Sequence, residues 1–434
     1  MLLTAQPLER DNSLRLAPNF RSWQRNTVQS GLLPVIAIGG TRGKSTVIRM
    51  LDHIYRTAHL RTATWTNLGI EVRGRRQQGE LKAWSTALNR MAAGTIDVAL
   101  QELHWNTVNA VGLPPNSYPL VALTTLWPEE ESENMHLLQA AAQGTERMAL
   151  AVHHTGLLVG SGDDYHMMDV IRHIAPNLML TARSRELPAL ITHLKNGGTA
   201  IWHEKRQVQE LDAAGNLNEH AEEFIHLGDG VTNLELMATS DIPSSLGSRA
   251  MFQLANAMTA AAIAYATGIN LETIQTALAT FVAEPDLLPA SFNVHRGKTF
   301  TGYVNRLETP GITKSVLRAI NRRAKRRQIT VVDDLAELSA TDCLEIGRML
   351  GRNHGAVLLH SQSDESKVEQ MRRGIAADAY PPLVIHFPTE RRALNRVFQT
   401  LQEGDTLLVL TAGDGRIANR AIERQLEEVL PTTR

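Results

Sequence analysis

The amino-acid sequence predicts an α/β protein, with a doubly wound, mostly parallel sheet followed by a second, smaller α/β domain. Three observations support this prediction. Short apolar runs rich in β-branched residues alternate with stretches whose apolar residues recur at helical spacing. This alternation occurs twice, before and after a proline-containing stretch at Glu284–Pro289. The first apolar run also ends in two glycines and passes directly into a helical stretch, which predicts a glycine loop at the carboxyl edge of a sheet.

The length of the chain sets the expected number of domains. At roughly 150 residues per domain, 434 residues are enough for two or three. We expect a polar N-terminal arm or short helix at 1–30, a central domain at 31–285 and a C-terminal α/β domain at 286–434. The proline-containing stretch Glu284–Pro289 is the predicted linker.

The central region alternates between predicted strands and helices. Strands are expected at 33–38, 96–103, 120–126, 148–152 and 157–159. Helices are expected at 45–55, 84–93, 135–147, 251–267 and 271–281. Residues 195–245 are richer in glycine, asparagine and charge, and are predicted to be excursions at the far edge of the sheet. Parallel pairing would bring Gly39, Glu102 and Thr124 to the carboxyl edge of the sheet, where such sheets bind ligands.

The C-terminal region repeats the alternation on a smaller scale. Four apolar strands are predicted, at 328–332, 356–359, 383–387 and 406–410. Together with the helical stretches between them they predict a second α/β domain of about 140 residues.

Composition and charge exclude several classes of protein. The 43% hydrophobic and 21% charged residues are typical of a globular protein, and the net charge of −1 gives no general attraction to nucleic acid. No apolar run approaches the roughly 20 residues that cross a bilayer. The single cysteine, Cys343, cannot form an internal disulfide, and it has no histidine beside it that would favour a catalytic thiol. We therefore expect a soluble cytoplasmic protein.

The loop from Gly39 to Thr46 is the strongest functional motif. It reads Gly39-Gly40-Thr41-Arg42-Gly43-Lys44-Ser45-Thr46 and lies between a predicted strand and a predicted helix. Glycines let backbone N–H groups surround phosphate oxygens, Lys44 can reach the β- and γ-phosphates, and the Ser45 hydroxyl can ligate magnesium. A Walker A loop would have glycine where this chain has Ile38, so the motif is shorter than that pattern. An ordinary glycine-rich turn is the alternative.

The shortened loop resembles the Gly-Thr-x-Gly-Lys-Ser/Thr of the Mur ligase superfamily. That superfamily includes cell-wall peptide ligases, folylpolyglutamate synthases and capsular poly-γ-glutamate synthetases, and Arg42 makes the loop most similar to the last group. Glu102 is similar in position to a glutamate that serves magnesium, and Leu123–Pro128 resembles a strand followed by Asn-x-x-Pro-Asp-His. Asn256, in an alanine-rich helix, is similar to an asparagine that contacts adenine.

The resemblance implies an enzyme that uses ATP and Mg²⁺ to join a carboxylic acid to an amine, forming ADP through an acyl-phosphate. The substrates would be small molecules, with addition of glutamate to a γ-glutamyl chain as the first candidate and a small membrane protein as a possible partner. The C-terminal domain would close on the active site, and Asn305 and Arg306 would then approach the nucleotide or the acyl-phosphate. Thr411–Gly415 resembles a glycine-containing turn of the family.

A basic cluster lies just before the predicted strand at 328–332. It comprises Arg318, Arg322, Arg323, Lys325, Arg326 and Arg327. A solvated helix face is the favoured interpretation, and a dock for an anionic polyglutamate chain is the alternative.

The sequence departs from the family at two places. Glu129-Glu130-Glu131 stands where the resemblance leads us to expect Asp-His, so Glu130 either replaces the histidine as a metal ligand or belongs to a solvated loop. From 139 to 158 there is no lysine, although many Mur ligases have a carbamylated lysine near there. Two other functions therefore stay open: a nucleotide-binding subunit that has lost ligation, and a P-loop NTPase or kinase.

Overall fold

The computed structural model of the chain describes residues 17–126, 135–174, 177–211, 217–321, 327–360 and 365–428. The chain divides into two compact units. The first takes in the described residues up to Leu126, those from 135 to Pro243, and Gln253–Thr280. The second takes in Ser244–Phe252 and the described residues from Phe281 onward.

The first unit is built on one sheet with the strand order β11-β10-β9-β8-β7-β6-β1-β5-β2-β3-β4 among the described residues. The strands are β1 Val35–Gly39, β2 Thr62–Thr66, β3 Gly69–Val72, β4 Arg75–Arg76, β5 Val98–Glu102, β6 Tyr118–Leu123, β7 Val152–Ser161, β8 Leu178–Ala182, β9 Thr199–Leu211, β10 Leu217–Gly228 and β11 Asn233–Ala238. Pairing is parallel from β9 through to β2, and antiparallel among the outer strands on each side. This arrangement confirms the predicted doubly wound, mostly parallel sheet.

Helices connect and cover these strands. They are α1 Phe20–Gln29, α2 Lys44–Thr57, α3 Glu80–Ala92, α4 Trp105–Val111, α5 Met135–Leu150, α6 Tyr165–Ile171, α7 Pro188–Lys195, α8 Met251–Ala266 and α9 Leu271–Thr280, with 3₁₀ turns at Thr239–Asp241 and Pro243–Ser245. Among the residues that the structure describes, no helix is both long and apolar enough to cross a membrane.

The centre of the sheet explains why its strands read as continuous apolar runs. Every residue of β1 is buried, as expected for a parallel strand covered by helices on both faces. The alanine-rich α8 is also buried on most sides, with Leu254, Ala257 and Met258 each 0% exposed. Its small side chains let neighbouring elements approach the helix closely.

The helix α1 belongs to the core of the first unit. Phe20 and Trp23 are buried, and the Phe20 ring lies 5.8 Å from the ring of Tyr55 on α2. Asn19 caps the helix by accepting a hydrogen bond from the backbone N–H of Ser22. The C-terminal part of the predicted arm is therefore a packed helix.

The prediction of a strand at 148–152 is wrong. Met148 lies in the last turn of α5, and a single strand, β7, runs from Val152 to Ser161. The apolar run around Met148 is the buried end of a helix, which periodicity alone cannot distinguish from a short buried strand. Met148 fills space against the first strand, because a Cβ built on Gly39 would meet its sulphur at 2.2 Å.

The second unit contains a sheet with the order β12-β13-β17-β14-β15-β16 among its described residues. Its elements are β12 Ser291–Arg296, β13 Phe300–Arg306, α10 Pro310–Asn321, β14 Gln328–Val332, α11 Ala340–Gly351, β15 Gly355–His360, α12 Glu365–Ile375, β16 Leu383–Phe387, α13 Glu390–Thr400, β17 Asp405–Thr411 and α14 Arg416–Glu428. All neighbouring pairs are parallel except β12 with β13. The predicted second α/β domain is confirmed as a fold.

The helices of the second unit cover opposite faces of its sheet. One core cluster contains apolar side chains of α10, α11 and α12, and the other contains those of α13 and α14. The chain therefore leaves β14 toward one face and β17 toward the other. Since β14 and β17 are neighbours, their carboxyl ends form a topological switch point, where open α/β sheets place ligands.

Candidate active site

The loop between β1 and α2 has a backbone that only glycine adopts without strain. Gly40 and Gly43 have φ values of 119° and 79°, in the left-handed region. A Cβ on Gly40 would lie 2.3 Å from the Thr124 hydroxyl oxygen, and a Cβ on Gly43 would lie 2.2 Å from Asn256 Oδ1. Both the conformation and the close packing therefore require glycine at these two positions.

The end of β6 fixes the shape of this loop. The backbone N–H of Thr41 donates to the Thr125 carbonyl at 2.7 Å, and the two threonine hydroxyls lie 3.0 Å apart. The Thr124 hydroxyl donates to the carbonyl oxygens of Gly39 and Arg42. Because these contacts hold the carbonyl side of the loop, its conformation is set before any ligand binds.

Lys44, Ser45 and Glu102 meet at the start of α2. The Ser45 hydroxyl donates to Glu102 Oε2 at 2.8 Å, and Lys44 Nζ lies 3.8 Å from Glu102 Oε1. Lys44 Nζ also donates to the Thr41 carbonyl at 3.2 Å. The side chains of Lys44 and Glu102 are only 7% and 4% exposed. The structure thus brings together three residues that the sequence predicted to act at one site.

His104 is a member of this group that the sequence analysis missed. Its Nε2 lies 3.3 Å from Glu102 Oε1, whereas the Ser45 hydroxyl contacts the other oxygen of that carboxylate. Partial burial, and then the positive charge of Lys44, lower the pKa of His104, while Glu102 opposes that shift. The position two residues after Glu102 was the available signal, because His104 immediately precedes α4 and so begins a short connection at the carboxyl end of β5.

The turn between β2 and β3 also reaches Glu102. The backbone N–H of Asn67 donates to Glu102 Oε2 at 3.3 Å. The carboxylate is therefore held by a hydroxyl, a backbone N–H, an imidazole and an ammonium group. This number of partners fixes its orientation at the edge of the sheet.

The donor set fits a nucleotide phosphate with a hard cation. The first-turn N–H groups of α2, the glycine conformations and Lys44 form an anion-binding cradle of the kind that phosphates occupy. Ser45 and Glu102 offer oxygen donors, and Mg²⁺ commonly uses one or two protein ligands together with phosphate and water. Within the described ranges no three His, Cys, Asp or Glu side chains form a set that could hold a metal ion alone. The fit is therefore to a cation that shares its ligands with a phosphate.

The remaining predicted nucleotide-binding residues of the first unit belong to the loop or lie beside it. Arg42 is half-buried, and Thr46 is 6% exposed in the first turn of α2. Asn256 of α8 lies against Gly43, and its Nδ2 donates to Gln253 Oε1 at 3.2 Å. The asparagine predicted to contact the nucleotide is thus placed beside the loop.

Other predicted residues lie elsewhere. Glu130 and its neighbours Glu129 and Glu131 are outside the described residues. Asn305 and Arg306 end β13 in the second unit, where Asn305 is buried and donates from Nδ2 to the Arg306 carbonyl at 2.8 Å, and Arg306 is exposed.

The structure shows the surroundings of Cys343 and of one residue of the basic cluster, Arg327. Burial raises the pKa of the Cys343 thiol to about 11, so a thiolate is disfavoured at neutral pH. Arg327, one end of the basic cluster, pairs with Asp405 at 2.7 Å. Four members of that cluster, Arg322, Arg323, Lys325 and Arg326, lie outside the described residues.

Comparisons with known proteins place this geometry in context. No family model matches the sequence. Over 338 residues the chain is 22% identical to the cyanophycin synthetase of Nostoc sp., a match that covers 77% of this chain and 36% of that protein. The chain thus spans about a third of the length of the curated relatives it matches.

Solved structures match along nearly the whole chain. The MurF ligase of Thermotoga maritima in complex with ADP gives a TM-score of 0.59 at 13% identity, covering 94% of this chain and 83% of that chain. The folylpolyglutamate synthase of Thermotoga maritima gives 0.58 at 14% identity, covering 95% of both chains. The chain therefore has the fold of the Mur ligase superfamily.

Proposed function

We propose that the protein is an ATP-dependent ligase that joins a carboxylic acid to an amine and forms ADP. The observation that carries this proposal is the group of Lys44, Ser45 and Glu102 at the end of a glycine loop that requires glycine at Gly40 and Gly43. The Mur ligase fold and the similarity to a cyanophycin synthetase support ligation as the reaction.

The proposed reaction has two steps. A carboxylate oxygen attacks the γ-phosphorus of ATP, the bond to the β-phosphate oxygen breaks, and an acyl-phosphate and ADP result. The amine nitrogen then attacks the acyl carbon, inorganic phosphate leaves, and the nitrogen loses a proton to give the amide. Magnesium, when bound, would supply positive charge at the phosphates.

The chain's own residues would act mainly by position and charge. The Lys44 ammonium would neutralise charge on the transferring phosphoryl group, and the loop N–H groups would orient it. Ser45 and Glu102 would hold the cation, with Asn67 and His104 fixing the Glu102 carboxylate. Arg42, Thr46 and Asn256 would complete the nucleotide pocket, and Glu130 remains a predicted further ligand.

The choice of substrates and partner rests on the resemblance of the loop to that of the poly-γ-glutamate synthetases. We propose a γ-glutamyl chain as the first carboxylate to test, glutamate as the first amine, and a small membrane protein as a partner. Arg42 supports this choice, since it completes the loop pattern of the poly-γ-glutamate ligases. The single buried cysteine, Cys343, supports a cytoplasmic site of action.

The first prediction tests the phosphate loop. Lys44→Ala should reduce ADP formation by at least about 100-fold, because one preorganised charged contact to the transferring group is removed. ADP release is measured with acid and amine present together. Lys82→Ala removes the same charge from an exposed position on α3 and should keep full activity.

The same assay separates the rival functions. ADP formation that requires both an acid and an amine, with an amide product, supports ligation. Steady ADP release that ignores every acid and amine would identify an NTPase, and phosphate transfer to a stable alcohol product would identify a kinase. Nucleotide binding without any turnover would identify a subunit that has lost ligation.

A further inference from the structure

One face of α2 carries a row of polar side chains. Ser45, Arg49 and Asp52 recur at helical spacing along this face. Ser45 contacts Glu102 at the end of β5, whereas Arg49 and Asp52 contact the hairpin formed by β2 and β3. The helix that begins at the phosphate loop is therefore tied to this hairpin over its first three turns.

The contact between Arg49 and Glu71 of β3 is a buried, bidentate ion pair. Nη1 and Nη2 of Arg49 each donate to one oxygen of the Glu71 carboxylate at 2.8 Å. The two side chains are only 3% and 8% exposed. The remaining donor, Nε of Arg49, is buried and has no hydrogen-bond partner among the described residues. The guanidinium thus gives all of its described hydrogen bonds to a single carboxylate.

A pair of this kind is better suited to fixing an orientation than to stabilising the fold. Removing both charges from water offsets much of their attraction, so apolar side chains of similar volume often stabilise a protein equally well. Two parallel hydrogen bonds, by contrast, fix both the distance and the angle between guanidinium and carboxylate. The pair therefore sets the position of β3 relative to α2.

The position of β3 determines where its turn with β2 lies. Glu71 lies two residues, or about 7 Å, from Gly69, which pairs with Thr66 and closes the hairpin. The turn between them brings the backbone N–H of Asn67 to Glu102 Oε2 at 3.3 Å. This distance is at the long limit for a hydrogen bond of this type. A small displacement of the turn would therefore break the contact.

We propose that Arg49 and Glu71 are positioning residues of the cation site, because their ion pair sets the turn at 66–69 so that the Asn67 N–H holds Glu102. The effect on the cation rests on the proposed function, whereas the position of the turn does not. In this arrangement α2 aligns the phosphate cradle through its first turn and the carboxylate through its second. Both parts of the site keep a fixed geometry relative to one helix.

The first measurement follows the turn in the full chain without ligand. Amide hydrogen exchange is recorded by mass spectrometry on peptides that cover 66–69, with β1 as the internal reference for global unfolding. Arg49→Lys keeps the charge but loses the two parallel hydrogen bonds. We expect exchange in the turn to become at least fivefold faster relative to β1.

A second variant covers the case in which Arg49→Lys does not fold. Arg49→Met combined with Glu71→Leu keeps the buried volume and removes both charges, which folded proteins commonly tolerate. It should speed exchange in the turn in the same way, because packing alone does not fix the angle between α2 and β3.

The second measurement follows the cation and requires no turnover. ADP is titrated calorimetrically in magnesium chloride and in EDTA, and the ratio of the two dissociation constants gives the gain in affinity from magnesium. Both variants should lower that gain at least threefold, with the affinity in EDTA changed less than twofold. A role in stability alone would leave the gain unchanged.

Asp52→Ala is the matched control. Asp52 lies on the same face of α2, is also buried, and accepts a hydrogen bond from the Thr62 hydroxyl. Thr62 begins β2, whereas the turn follows Thr66, about 13 Å further along the strand. The variant should lower the free energy of unfolding, because it leaves the buried Thr62 hydroxyl without its acceptor. Exchange at 66–69 relative to β1 and the gain from magnesium should stay as in wild type.

The outcomes separate this inference from the proposed function. Unchanged exchange at 66–69 in the folded variants, an unchanged gain from magnesium, or the same losses in Asp52→Ala would each overturn the positioning role. If the wild-type protein binds ADP with no gain from magnesium, the proposed cation site falls. Faster exchange in the turn would then still support the ion pair as the contact that sets it, and unchanged exchange would overturn that as well.

Discussion

At the scale of single residues, the carboxylate of Glu102 shows how one side chain is prepared for a cation. Ser45 and the N–H of Asn67 hold one of its oxygens, and His104 and Lys44 lie near the other. Of these, Lys44 and Ser45 were predicted because they belong to a motif. His104 was missed, because it belongs to no motif and its position two residues after Glu102 was the one signal in the sequence.

We expect His104→Gln to raise the magnesium concentration needed for half-maximal ADP formation several-fold. The histidine contact orients Glu102, and a flexible amide would hold the carboxylate less firmly. The saturating rate should fall less than it does in Lys44→Ala. His173→Gln, at an exposed position, is the control. An unchanged magnesium dependence would show that His104 has no part in positioning Glu102.

The buried carboxyl of Glu390 leads to a prediction about stability. Its pKa is raised to about 7 in the folded protein from an ordinary value of 4.5. Between these values the folded state binds more protons than the unfolded state, so the free energy of unfolding falls as pH rises from 4.5 to 7. The effect is on the order of 1–3 kcal/mol. Glu390→Gln should remove it.

The measurement is urea denaturation of the wild-type protein and of Glu390→Gln across pH 4.5 to 8. The free energy of the variant relative to wild type should increase with pH and level off above pH 7. A constant difference across that range would show that Glu390 titrates normally.

At the scale of elements, the loop and α2 were predictable because their requirements are local. A buried β-branched strand, glycines at a tight turn and a helix with regular apolar spacing all lie within 25 residues. Met148 was assigned wrongly because a short apolar run fits either a strand or the buried end of a helix, and only packing against Gly39 decides between them.

The packing of α8 against the loop predicts a specific effect of Gly43→Ala. The new Cβ would meet Asn256 Oδ1 at 2.2 Å, in addition to the strain of a φ of 79°. Strain alone costs about 1–2 kcal/mol, and the clash should add to it and displace the nucleotide pocket. We expect both a lower free energy of unfolding and weaker binding of ADP.

Gly94→Ala isolates the strain. Gly94 has a φ of 70°, and a Cβ at this position would have no atom within 4 Å, so the substitution carries the conformational penalty without the clash. Gly94→Ala should lower the free energy of unfolding and leave the affinity for ADP unchanged. In Gly43→Ala with Asn256→Ala, part of the stability should return. If Gly43→Ala and Gly94→Ala have the same effects on the free energy of unfolding and on ADP affinity, α8 does not constrain the loop.

At the scale of the whole molecule, the sequence alone predicted the fold class correctly. Two separate runs of alternating strands and helices are compatible with few other architectures. The edge strands β9, β10 and β11, of which β10 pairs antiparallel with both of the others, were predicted only as excursions at an edge, since their residues are polar and lack strong periodicity. The polar contacts of Asp333 were not predicted. This carboxylate contacts His360 at the end of β15 and Thr411 at the end of β17, and only the strand order of the second sheet brings these residues together.

The two units should respond differently to nucleotide. A ligand that binds only the folded state stabilises it by RT ln(1 + [L]/Kd), about 2.7 kcal/mol at a hundredfold excess over Kd. Because the loop, Glu102 and Asn256 all lie in the first unit, we expect Mg²⁺ and ADP to slow amide hydrogen exchange most strongly at 39–46 and around β5 and the start of α8. Lys44→Ala should abolish this protection at the same ligand concentration. If ADP protects only the second unit, or if Lys44→Ala keeps the protection, the loop between β1 and α2 does not bind the nucleotide.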